Sequence, residues 1–271
     1  MYDVLAPPRS GMAMASAMAF LISGCDAAGP GSNPQSVETG ESPDSRMTYR
    51  EGGVELSKTA SDELADFVTA TQFDVVLPMS IRLNSMNPHA RDGLLKRISS
   101  ARLDLDKAVK RVQDAGSEPS NRDIKNLERA NSTMEHLLGN LVKNGERRRS
   151  RDRGKRLIEK YPWLRELSPE QVRDVLFQAL RKSSKSADEA NPWIPTSVMG
   201  DTADGDTCRM DCSITAAVQF GGVELVYAGG AWGCAASTIA FFPCFAFVTA
   251  IKYAGIASIT WNLSTCTKKC N

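Results

Sequence analysis

CRMDCSITAAVQFGGVELVYAGGAWGCAASTIAFFPCFAFVTAIKYAGIASITWNLSTCTKKC, residues 208–270, holds six of the chain's seven cysteines. Cys208 and Cys212 are four residues apart, and so are Cys266 and Cys270. Four residues is close to one helical turn, so on helices each pair projects from a single face. If the two ends run antiparallel, Cys208 meets Cys270, Cys212 meets Cys266, and Cys234 is left to close a small loop with Cys244. Between the ends, Ser213 to Leu263 carries only two charged residues, Glu224 and Lys252. The stretch Phe245 to Leu263 would be about 28 Å long as a helix, which approaches the thickness of a hydrocarbon core. Glycines of the whole stretch, Gly221, Gly222, Gly229, Gly230, Gly233 and Gly255, weaken a lone helix but permit close contact between two. The spacing therefore predicts a small disulfide-stapled helical hairpin over 208–271.

A stapled hairpin needs an oxidising compartment, and the other end of the chain supplies the reason to expect one. Residues 11–24, GMAMASAMAFLISG, are uncharged and apolar, follow Arg9 and end on Ile22-Ser23-Gly24-Cys25. This is the layering of an export signal, and it is too short for a membrane-spanning stop-transfer helix. Ile22-Ser23-Gly24-Cys25 resembles the bacterial lipobox. The resemblance implies a lipoprotein precursor with a signal peptide over 1–24, acylation at Cys25, and a mature protein anchored in the cell envelope outside the cytoplasm. Either the inner or the outer membrane is open. With Cys25 used by lipid, the remaining six cysteines are an even number, which favours complete pairing. Zinc at the four terminal cysteines is the alternative, disfavoured by the compartment and by spacing unlike a knuckle.

Between these ends the composition changes twice. Residues 25–55 are rich in Gly, Pro, Ser and acidic residues without apolar periodicity, as expected of a disordered tether. Over 56–186 the apolar period becomes helical. Ala60, Leu64, Phe67 and Val68 share a face, and Leu94, Ile98, Ala101, Leu105, Ala108 and Val112 step by fours and threes. After the break at Gly116 and Pro119, Ile124, Leu127, Met134, Leu137, Leu138 and Leu141 resume the stripe, predicting an antiparallel helical hairpin. Ser168-Pro169-Glu170-Gln171 reads as a capping box with proline at the first helical position, opening a helix whose face is Val172, Val175, Leu176, Ala179 and Leu180. The fold class is thus mainly α: a helical bundle leader over 56–186, expected to fold without the tail, then a linker over 187–207 and the stapled hairpin.

Two phrases in the leader, Leu77-Pro78-Met79-Ser80-Ile81-Arg82 with Met86-Asn87-Pro88-His89-Ala90-Arg91, and Leu167-Ser168-Pro169-Glu170-Gln171, are similar to pieces found ahead of the cysteine-rich tail in proteins related to the bacteriocin fulvocin C. A short apolar cysteine-rich tail behind a long polar leader also resembles precursors of the halocin type. These resemblances imply a bacteriocin-like, membrane-active C-terminal module. The competing reading is a non-enzymatic envelope adaptor whose helical domain binds a protein partner.

Other features carry less. The formal net charge of +1 excludes a globally basic nucleic-acid binder. The basic run Arg147 to Arg156 has no interleaved aromatics, so a solvated helix end or a contact with anionic lipid is expected, and no nucleic acid. Asp201, Asp204 and Asp206 lack the ligand pattern of an EF-hand and read as an exposed, cleavable hinge. His89 and His136 stand in no nucleophile motif, and no phosphate loop or dinucleotide fingerprint occurs. No catalytic residue, metal site or cofactor is expected. The expected partners are the lipid bilayer, reached through acylated Cys25, and either a target membrane or an envelope protein.

Overall fold

The computed structural model describes residues 49–50, 53–54, 56–115, 119–186, 205–236 and 241–270. Cys25, the signal segment and most of the tether lie outside these residues, as does the hinge up to Asp204. Glu41 to Asn271 form one compact unit. A two-residue antiparallel ladder, β1 (Tyr49–Arg50) with β2 (Gly53–Val54), precedes the helices.

The helices start and stop where the chain supplies caps. α1 (Lys58–Thr71) begins at Ser57, whose hydroxyl accepts from the Ala60 amide at 3.2 Å. It continues through a π-helical turn, Gln72–Val76, into α2 (Leu77–Ser85). Pro78 accounts for that turn: it cannot donate to the carbonyl four residues back and its ring crowds it, so the preceding turn widens. α3 (Pro88–Asp114) opens with Asn87 accepting from Ala90 at 2.7 Å, and Pro88 occupies a position whose missing N–H costs nothing. α4 (Asn121–Gly139) is capped by Ser120. α5 (Asn144–Lys160) carries the basic run, and a short 3-10 turn, Pro162–Arg165, leads on. α6 (Pro169–Ser186) begins with a reciprocal box: Gln171 N–H donates to Ser168 Oγ at 3.2 Å, and Ser168 N–H to Gln171 Oε1 at 2.8 Å.

α7 (Gly205–Ala236) and α8 (Phe241–Lys269) form the hairpin. α7 begins at Gly205, so the linker expected over 187–207 ends earlier and Asp206 is already helical.

The hairpin occupies the middle of the unit. α7 packs on α1, α5 and α6, while α8 packs on α3 and α4. The apolar stripes read from the sequence, Ile124 excepted, contribute to one core, which also takes in Ala216, Ala217, Phe220, Leu225, Ile256 and Leu263 of the hairpin. Phe67 of α1 shows why leader and tail cannot be separated cheaply. Its ring lies where a side chain on Gly221 would begin, 3.1 Å from that Cβ position, and also covers Gly154 of α5. The boundary drawn between 56–186 and 208–271 thus divides elements that bury one another. A leader without its tail would expose Leu64, Phe67 and Leu176, none of which is more than 3% exposed here. Polar pins cross the same seam: Gln72 Nε2 donates to Ser213 Oγ at 3.3 Å, and Asn131 Nδ2 to the Ala246 carbonyl at 2.8 Å.

Candidate functional site

The hairpin's register is constant along its length. The three disulfides join Cys208 to Cys270, Cys212 to Cys266 and Cys234 to Cys244, and in each the two residue numbers add to 478. These are the pairs that the four-residue spacings single out. The same sum relates Gly255 to Val223 and Gly230 to Val248, the points of closest helix approach. A Cβ on Gly255 would fall 2.6 Å from Val223 Cγ2, and one on Gly230 would fall 3.0 Å from Val248 Cγ1. Glycine is required there by contact and not by backbone angle. The two bonds at the base stack one turn apart, which leaves Cys212 Sγ 3.7 Å from Cys270 Sγ. The sulfurs of Cys208, Cys212 and Cys270 lie within 4.8 Å of one another, close enough for a metal cage. Each is spent in a disulfide, whereas zinc needs thiolates.

Halfway up the hairpin α7 Glu224 lies beside α8 Lys252. Glu224 is fully buried and Lys252 is 7% exposed. Lys252 Nζ stands 2.8 Å from each carboxylate oxygen, but is aligned for a hydrogen bond only with Oε2. Oε1 is buried and accepts none. The ammonium also lies over the Tyr227 ring, 4.3 Å from its centroid. Burial pushes the Glu224 carboxyl up and the Lys252 ammonium down, each partly offset by the other's charge. Burial likewise raises Tyr227 and Tyr253. α5 approaches this pair at Gly154, where an added Cβ would lie 3.8 Å from the carbonyl carbon and Cβ of Glu224.

The basic run forms the body of α5, with Arg148, Arg149, Arg151, Lys155 and Arg156 exposed as a solvated face and only Arg147, Ser150 and Gly154 turned into the core. Arg147 is buried and donates to Asn144 Oδ1 at 2.8 Å, while Arg149 and Arg153 pair with Asp74. His89 and His136 are both exposed on helices.

At the Cys234–Cys244 end the surface changes character. Trp232 is 44% exposed and Phe245 40%. Arg165 Cζ lies 4.7 Å from the Trp232 ring centroid, and Tyr227 meets Phe245 edge-on with centroids 6.2 Å apart. From the sequence, Glu224 and Lys252 stand out as the only charges between Ser213 and Leu263, with nothing to pair them. The register by itself sets Glu224 opposite Ala254, two residues from Lys252, so the pair is made by the reach of the lysine and the packing of α7 on α8. Arg165 could not be placed from the sequence either, since its position over Trp232 depends on how the 3-10 turn docks. No family model, curated protein or solved structure matches this chain.

Proposed function

We propose that the chain is an exported lipoprotein, anchored through acylated Cys25 in the cell envelope, whose stapled hairpin is a bacteriocin-like module that acts on a bilayer. The helices before it serve as a sheath that keeps it soluble. One observation carries this reading. Pro243–Lys269 is long and apolar enough to cross a membrane, and half of its most apolar window is buried against other helices. Half of that window is covered, by α7 and by the leader helices α3 and α4, and this cover is what the sheath reading draws on. The test is a protease site engineered into residues 187–204 of the full chain, with dye release from anionic vesicles as the readout. Leakage should follow cleavage and be abolished by reduction, because the staples hold the hairpin's form. An oxidised, cleaved tail that leaves vesicles intact at every concentration refutes the reading.

A second reading is favoured by the single shared core. In it the chain is a non-enzymatic envelope adaptor, and the hairpin is its permanent centre. A stable, uncleaved lipoprotein in the cell, cross-linking to one envelope protein through the leader helices, supports the adaptor and not the precursor.

A further inference from the structure

We infer that the Cys234–Cys244 end of the hairpin is the membrane-docking surface, with Trp232 and Phe245 entering the interface of an anionic phospholipid bilayer and Arg165 pairing with a headgroup phosphate. This rests on the reading of the hairpin as a module that acts on bilayers, and it adds which end makes the contact while the chain is still sheathed.

The argument begins with charge. The sequence from Leu225 to Ile251 contains no charged residue, so the hairpin's two helices bring no ionised side chain to this end. Burying ionised groups is what makes most protein surfaces poor membrane ligands. Among the described residues, the cation stacked on Trp232 comes from outside the hairpin. Arg165 runs its stem along α7 at Gly229, where Arg165 Cα and Cγ both lie 3.7 Å from a Cβ position, and its guanidinium ends over Trp232. Arg165 is exposed and donates through Nη2 to the Ile158 carbonyl at 3.3 Å, so the guanidinium is anchored at the surface while still open to solvent. An indole with an arginine head over its face matches the chemistry of the bilayer interface, where Trp sits at headgroup level and Arg keeps its charge in the polar layer.

The aromatics are also held still. Trp232 precedes Cys234 by two residues and Phe245 follows Cys244 directly, so the disulfide fixes their backbones, while Arg165 stacks on the indole and Tyr227 meets Phe245 edge-on. A pair of aromatics immobilised beforehand loses little rotamer freedom on docking. Trp261 supplies an internal control. It is 49% exposed on the same helix α8, but lies toward the base, where Lys268 pairs with Asp92 at 3.2 Å.

The experiment uses the oxidised full chain in two versions, each retaining one tryptophan, Trp232 or Trp261, with the others changed to Phe. Vesicles of phosphatidylglycerol and phosphatidylcholine in equal parts carry brominated acyl chains that quench nearby indole. The Trp232 version should be quenched several-fold more than the Trp261 version. W232S and F245S should each weaken partitioning about tenfold, and R165Q should remove the preference for phosphatidylglycerol over phosphatidylcholine alone. Equal quenching of the two tryptophans overturns the docking surface while leaving the module's action on bilayers standing. Protection of Trp232 that grows with protein concentration without lipid, and is lost in F245S, makes the occupant a second copy and overturns the proposal. If neither tryptophan is quenched and the cleaved chain releases no dye, both readings fall.

Discussion

Lys252→Met is the perturbation that most directly probes the centre of the hairpin. The ammonium it removes lies 2.8 Å from a carboxylate that is fully buried and has one oxygen, Oε1, without a hydrogen bond. Methionine fills a similar volume, so packing is nearly kept and the change isolates the charge. Breaking a buried pair from one side costs about 3–5 kcal/mol, because the remaining ion is left without compensation. Replacing both partners, Glu224→Leu with Lys252→Met, removes the uncompensated charge and should return the protein to within about 1 kcal/mol of wild type or above it. The pH dependence has a definite sign. Burial already holds Glu224 above its ordinary value of 4.5, and loss of the ammonium pushes it further up. A carboxyl whose folded pKa exceeds its unfolded one binds its proton more tightly in the native state. The native state then gains stability as pH falls through the folded pKa, and the gain is complete below the unfolded value. Lys252→Met should therefore recover part of its deficit relative to wild type as the pH falls from neutrality toward the ordinary carboxyl value of 4.5. Urea unfolding under non-reducing conditions, followed by far-ultraviolet circular dichroism, measures both effects. A single variant within about 1 kcal/mol of wild type at neutral pH, or a double variant as unstable as the single one, would refute the reasoning.

Three further outcomes are expected. Cys25→Ser should abolish incorporation of a fatty-acid analogue, and equal labelling of wild type and variant would sink the acylation reading. Replacing Cys208 and Cys270 by Ser should cost about 3 kcal/mol, less than the roughly 4 kcal/mol of a lone long loop, because Cys212–Cys266 still closes that loop from inside; non-reducing peptide mapping checks the pairing, and a Cys208–Cys212 bond would contradict it. Gly255→Ala should destabilise by about 1–3 kcal/mol through overpacking against Val223, whereas Gly93→Ala in α3, with nothing within 4 Å of its Cβ position, should be neutral or stabilising in the same urea titration.

The sequence by itself determined the elements whose information is local. Ser168 with Gln171, and Asn87 before Pro88, set helix starts because a cap needs only neighbours. The stripe from Leu94 to Val112 set the buried face of α3 because helical period assigns faces without a partner. The four-residue cysteine spacings even carried a long-range fact, since two matching intervals on two helices admit one antiparallel register. The tertiary structure decided what those faces meet. Each apolar stripe says only that something covers it, so the leader's helices could equally have closed on themselves, and it was the docking of Phe67 over Gly221 and Gly154 that put the hairpin in their midst. The same is true of the charges. Glu224 and Lys252 looked like the two blemishes of an apolar hairpin, and Arg147 like part of a solvated run; only packing brings the first two within 2.8 Å and takes all three out of water, because burial belongs to the assembled core and not to any residue along the chain.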